Sequence, residues 1–368
     1  MLDDGTNPRK RKRMSSPMER EGAPATSASF KKHEALYLED GNVIMCAVNA
    51  TGEGIAFRVH RSILASVSPV FADMFTLPLP SENESHEGLP VVRMPDQADD
   101  LEMLLMILYH KTALPSDHLD PRMPHAVRPI LVIACKYEME NIREQIVSIV
   151  KKAWPSSLQC WDRMEAEIKA MNRQWHQQHD CARDYSCRDP LDAHLPGPVA
   201  AISLARDCDI PEILPAAFYH LSRLSMELGP DGSEHDERIQ RAYFFHGERT
   251  AKWKSLAGED YYRLFVGRKK LREAVAKEIE AWPKDYHENR IAEEDLFEDC
   301  SEAGIHEFVS RIKGSIRTNQ DTLSVLLQFI EEADTTTLFC CDCAWGFIED
   351  INELRARVWE HLPEYFDL

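Results

Sequence analysis

Between Phe57 and Phe75 the apolar residues change their spacing. Phe57 and Val59 alternate with polar neighbours, and then Ile63, Leu64, Val67, Val70, Phe71, Met74 and Phe75 recur at steps of three and four. A strand therefore gives way to helix near His60. Ser68-Pro69 divides the helical stripe. Proline lacks the amide proton a helix interior needs but suits the first helical position, with serine before it as cap, so the pattern predicts two short helices in series. Upstream, Val43 to Val48 and Ile55 to His60 read as strands, and Asn49 to Gly54 supply the turn residues of a hairpin. Downstream, Thr76 to Gly88, with Pro78 and Pro80, reads as an exposed loop before a third strand at Val91 to Met94.

Helical spacing resumes at Leu101, Leu104, Leu105 and Leu108, where Asp99 and Asp100 suit the positive end of a helix. Leu114 to Pro129 reads as proline-rich loop. Pro129 then opens a helix from Ile130 to Tyr137, and Ile142, Ile146 and Ile149 line another. Beyond Pro155 no convincing alternating run appears. Met164 to His179 predicts a partly exposed helix, and further helices are expected around Glu259 to Phe265, Arg272 to Trp282, Asp321 to Ile330 and Ile348 to Trp359. An internal echo joins the two parts: Ala134, Tyr137, Met139 and Ile142 share their spacing with Ala205, Cys208, Ile210 and Ile213, as expected of a helix, short turn, helix unit used twice. Asp231 to Asp236, with Gly232, reads as a break in the helical part. The fold class expected is α+β: a small sheet flanked by helices, followed by a mainly α-helical region.

Composition sharpens this. A chain of 368 residues with 43% apolar content can bury a substantial core and accommodates two domains, or one with an extension. No apolar run approaches the length of a bilayer span, and the N-terminus lacks the apolar core of a secretory signal. An intracellular location, nucleus or cytoplasm, is the expectation, with no membrane partner and the ten cysteines as thiols. The net charge of −19 opposes general nucleic-acid binding, which depends on phosphate neutralisation. Residues 1–32 depart from it, with eight Lys and Arg against four Asp and Glu in a stretch whose composition is that of a disordered tail. Its run Arg9-Lys10-Arg11-Lys12-Arg13 resembles a simple nuclear import signal, read against the plainer alternative of a solubilising tail.

Candidate chemistry is sparse. His176, His179, Cys181 and Cys187 lie close together but not at the spacing of a recognised zinc finger. Cys340 and Cys343, with Cys300 or His306, could supply a metal site, yet Leu338, Phe339, Ala344, Trp345 and Phe347 surround them, which favours thiols packed as small hydrophobes. No phosphate-binding glycine loop, Gly-x-Ser-x-Gly elbow or His-Glu-x-x-His helix occurs. The expectation is therefore a non-enzymatic protein without a cofactor.

The strand, helix, Ser-Pro, helix passage ending in Met74-Phe75 closely resembles the BTB/POZ domain. The likeness runs back to Asp40-Gly41-Asn42-Val43-Ile44-Met45 and forward to Leu131-Val132-Ile133-Ala134-Cys135-Lys136-Tyr137. It implies a BTB/POZ domain at 33–152, between the basic tail at 1–32 that composition marks and the helical region at 153–368, whose organisation resembles the C-terminal regions of fungal BTB-containing proteins. The family implies protein–protein interaction through homo- or hetero-association, with Asn42, Arg61, Met74 and Phe75 as interaction residues. Arg61 matches the family's basic residue near the dimer pocket, but Asn42 stands where the common pattern has an aspartate. Arg61 must then be solvated or served by another acid. Members can also recruit cullin-type ubiquitin-ligase scaffolds, although Thr76-Leu77-Pro78-Leu79-Pro80-Ser81-Glu82 departs from the apolar-x-Glu pattern of such adaptors. A nuclear transcriptional or chromatin regulator is a further alternative, resting on the basic run.

Overall fold

The computed structural model describes residues 30–77, 85–178, 191–226, 249–290 and 302–368. The basic run Arg9 to Arg13, together with His179, Cys181, Cys187, Cys300 and the break at 231–236, lies outside the described residues.

The N-terminal part is built on a five-stranded sheet of β1 (Lys31–Tyr37), β2 (Val43–Val48), β3 (Gly54–Val59), β4 (Ser85–His86) and β5 (Leu89–Gln97), in the order β1-β3-β2-β5-β4. β2 and β3 form the expected antiparallel hairpin, Val43 opposite Val59 and Val48 opposite Gly54. β1 and β5 join it in parallel, on β3 and β2 respectively. β1 escapes the pattern because Leu36 is its only buried residue, and it takes Lys31 and Lys32 out of the stretch drawn as basic tail. β4 and β5 turn over Glu87 and Gly88, both at positive φ, as a two-residue hairpin loop requires. Lys32 and the Tyr37 hydroxyl bind the Glu87 carboxylate and hold it below the usual carboxylate range.

The Ser-Pro division is observed. α1 (Arg61–Val67) ends at Ser68, and α2 (Pro69–Thr76) starts on Pro69. The buried Ser68 Oγ accepts from the Phe71 amide at 3.1 Å and donates to the Tyr137 carbonyl at 2.5 Å, tying the helix junction to the far side of the domain. Phe71 stacks on Tyr137 with centroids 4.4 Å apart. α3 (Ala98–Leu108) and α5 (Glu140–Ala153) bury the expected stripes. α4 (Met123–Lys136) starts seven residues before the expected Ile130, so Pro129 lies inside it. The first-turn proline is Pro124; Met123 and Val127 are buried, and their burial offsets the ladder bond that Pro129 cannot make.

The C-terminal part comprises α6 (Leu158–Gln178), α7 (Pro198–Asp207), α8 (Leu214–Ser222), α9 (Gly258–Arg290), α10 (Glu302–Thr318), α11 (Thr322–Thr335), α12 (Cys341–Glu360) and α13 (Leu362–Phe366), with short 3-10 turns at 191–194, 211–213 and 253–255. The internal echo is physical. α4 and α7 end alike, with Glu138 and Asp209 left-handed at φ 51° and 52°, and with Met139 and Ile210 donating to the carbonyls of Ala134 and Ala205 at 2.8 and 2.9 Å. The two units pack together through α4 and α7, and one hydrophobic cluster runs from Leu36 to Phe366. The two helices expected at 259–265 and 272–282 are one. Gly267 between them is buried against Phe366, so it serves packing and breaks nothing.

A half-buried ion cluster crosses this half. Arg223, its side chain 10% exposed, donates to Glu165 and Asp321 and lies 4.9 Å from the Trp161 ring centre. Asp321 caps α11 at the Ser324 amide and receives the Tyr219 hydroxyl at 2.8 Å. Burial opposes charge on Arg223, but the two carboxylates outweigh it and raise its pKa. Burial likewise opposes Asp321, whose carboxyl Arg223 nonetheless holds below its ordinary value. His220 Nδ1 faces Arg223; burial first, then the charges of Arg223 and Arg249, push its pKa well down.

Candidate interaction surface

Asn42, Arg61 and Phe75 form one connected unit. Asn42, exposed at the head of β2, accepts the Arg61 amide through Oδ1 at 2.8 Å and thereby satisfies a donor in the first turn of α1. The Arg61 guanidinium turns the other way, onto the Phe75 carbonyl and over the Phe75 ring at 4.9 Å. Neither expectation for Arg61 holds in its simple form. The side chain is half-buried, and a carbonyl and an aromatic face serve it in place of a carboxylate. Met74 and Phe75 are half-buried against the core, and Phe75 lies 6.1 Å from Phe71 between ring centres. Leu77, just past α2, is 66% exposed and continues the apolar strip outward.

A second polar unit borders this strip. The Tyr109 hydroxyl accepts the His60 amide at 2.8 Å and lies 3.0 Å from His60 Nδ1, while His60 Nε2 is 3.2 Å from Asp40 Oδ2. With the hydroxyl proton directed at Nδ1, the Nε2–H donates to Asp40. His60 is thus used where the strand meets the helix. Burial raises the Tyr109 pKa, so the hydroxyl stays a donor. The sequence pointed to His60 but not to Tyr109, 49 residues away with no local signal.

The remaining candidates do not converge. Cys343 is buried and Cys340 half-buried, one turn before Phe347, in the part of the core where the Phe308, Phe339 and Phe347 ring centres lie 5.1 Å apart pairwise. His306 is exposed on α10. Among the described residues no three His, Cys, Asp or Glu side chains group as a metal site, and no helix is long and apolar enough to cross a membrane.

A sheet fronted by the Ser-Pro helix pair and closed by α3 to α5 is the arrangement that the family likeness implied. Residues 42–153 match the family model of the BTB/POZ domain. The chain carries a BTB/POZ domain. No curated protein matches the chain. The BTB/POZ domain is an interaction module, here followed by a mostly helical region, and the Asn42, Arg61, Phe75 unit and Leu77 lie on its α1–α2 face.

Proposed function

We propose that the protein is a non-enzymatic interaction protein whose BTB/POZ domain mediates self- or hetero-association through the α1–α2 face, with Asn42, Arg61, Met74 and Phe75 shaping that face. The observation that carries this reading is the arginine held 4.9 Å over the Phe75 ring beside the exposed Leu77, an apolar patch stiffened by a cation, on a domain of an interaction family. Aromatic and arginine side chains dominate the energetics of protein interfaces. Light scattering on the eluting full-length chain, alone and with Leu77→Asp and Arg61→Glu, tests it. The expected outcome is an assembly larger than one chain that both substitutions weaken. A monomer at every concentration, with no stoichiometric companion in affinity purification that these substitutions release, would overturn it.

A second reading, an adaptor for a cullin-type ubiquitin ligase, is supported by the helix pair α7 and α8 packed as a repeat of α4 and α5. Titration of the full chain with a cullin N-terminal region decides between them. Saturable binding supports the adaptor, and no binding at high micromolar concentration removes it.

A further inference from the structure

The helical region holds a cationic cleft that the BTB/POZ reading does not use. It lies between α9 and α10, encloses about 300 Å³, and is lined by Arg272, Lys313, Arg317 and Glu280 over a floor of Ala276, Ile279 and Ile316. Glu280, 79% exposed, sits 4.0 Å from Lys313 and offsets that one charge only weakly through solvent. Among the described residues no carboxylate pairs with Arg272 or Arg317. In a chain of net charge −19, two guanidiniums left over in one cleft run against the composition. One turn earlier on α9, Arg268 feels the same excess: burial and the charge of Arg272 bring its pKa down to about 10.

The chemistry of the lining selects the ligand. Guanidinium groups present planar forks of donors that match the oxygens of a phosphoryl group, and a phosphate ester carries close to two negative charges near neutral pH. The apolar floor suits the short carbon stem of a phosphorylated side chain. A volume at the lower end of small-molecule sites holds a group of few atoms and excludes a dinucleotide. A nucleic-acid strand needs a basic track along its backbone, which three cations round one cleft do not provide. We propose that the cleft between α9 and α10 binds a phosphoserine or phosphothreonine side chain of a partner protein. The site lies outside the BTB/POZ domain and does not depend on the association proposed for the α1–α2 face.

Calorimetric titration of the full chain with acetyl-phosphothreonine methylamide, its unphosphorylated counterpart and inorganic phosphate tests this. The phosphorylated residue is expected to bind at millimolar affinity or tighter and the unphosphorylated one not at all. Binding should fall tenfold or more in Arg272→Gln/Arg317→Gln and stay unchanged in Lys269→Gln, which removes the same charge from an exposed position outside the cleft. Arg317→Gln alone, at an exposed residue, gives the answer should the double variant fail to fold, and it is expected to weaken binding severalfold. Equal affinity for the unphosphorylated compound, wild-type binding by Arg317→Gln, or an equal loss in Lys269→Gln would overturn the proposal. Inorganic phosphate binding as tightly as the capped residue would overturn the assignment to a protein side chain.

Discussion

The two halves of this molecule differ in how deeply they set the cations of their ion pairs. In the BTB/POZ domain the ionic contacts lie at the rim: Lys32 with Glu87, Lys136 with Asp96 at 2.5 Å, and Asp40, 85% exposed, with His60. The helical region has such surface pairs too, Lys269 with Glu273 among them, but it also sets two arginines deeper, where Arg223, 10% exposed, joins Glu165 and Asp321, and Arg355, 4% exposed, reaches Asp162 at 2.6 Å and the Leu323 carbonyl at 3.3 Å. A sheet has its register set by backbone ladders and alternating side chains. Packed helices have no ladder between them, and a buried ion cluster penalises every arrangement that leaves one of its charges unpaired. The sheet domain therefore needs no interior charge, whereas the helical region spends desolvation free energy on one.

The sharpest break of this contrast is Arg223→Met. It leaves the half-buried Glu165 and Asp321 without their cation and should cost about 3 kcal/mol in urea unfolding, the low end for a broken interior pair. Lys136→Met, which removes the rim pair with Asp96, should cost under about 1 kcal/mol. Equal costs would erase the distinction between the halves. Next is Gly267→Ala, whose Cβ would stand 2.1 Å from Phe366 Cδ1. About 1–3 kcal/mol of overpacking is expected, and Gly267→Ala/Phe366→Leu should recover part of it.

The third test uses pH. His220 is held neutral in the fold, so the unfolded chain takes up a proton there, below about pH 6.5, that the folded chain refuses. Stability should fall as pH drops below that value, by up to about 1.4 kcal/mol per pH unit. Asp321, with its depressed folded pKa, adds a loss only below about pH 4, where the unfolded carboxyl protonates. Urea midpoints at three pH values should show a shallower slope in His220→Gln, and an unchanged slope would remove His220 as the cause. The last test is in the sheet domain. Ser68→Ala loses the α2 cap and the bond to Tyr137 and should cost about 1–2 kcal/mol, a loss that Ser68→Thr partly restores.

Legibility in the sequence followed the range of the interactions. The hairpin, the Ser-Pro division and the end of α4 at Tyr137 were readable because each depends on neighbours within a turn or two, and the Ala134 and Ala205 echo was readable because identical turns demand identical spacing. β1 was not, since its pairing with β3 leaves only one residue buried. Pro129 misled because a first-turn proline and an interior proline look alike until the residues before them are seen to be buried. At the candidate interaction face the sequence supplied Asn42, Arg61, Met74 and Phe75, but it framed Arg61 as a charge either solvated or served by an acid. The carbonyl and ring of Phe75 meet it only once α1 and α2 fold back on each other.

The sequence by itself determined that a BTB/POZ domain precedes a helical region, because periodicity, caps and one dense motif are local properties of a chain. Only the tertiary structure decided which charges are buried, where the α9–α10 cleft opens, and that both halves share one core. Those features join residues 58, 98 or 193 positions apart, and no local preference of the backbone encodes a contact at that distance.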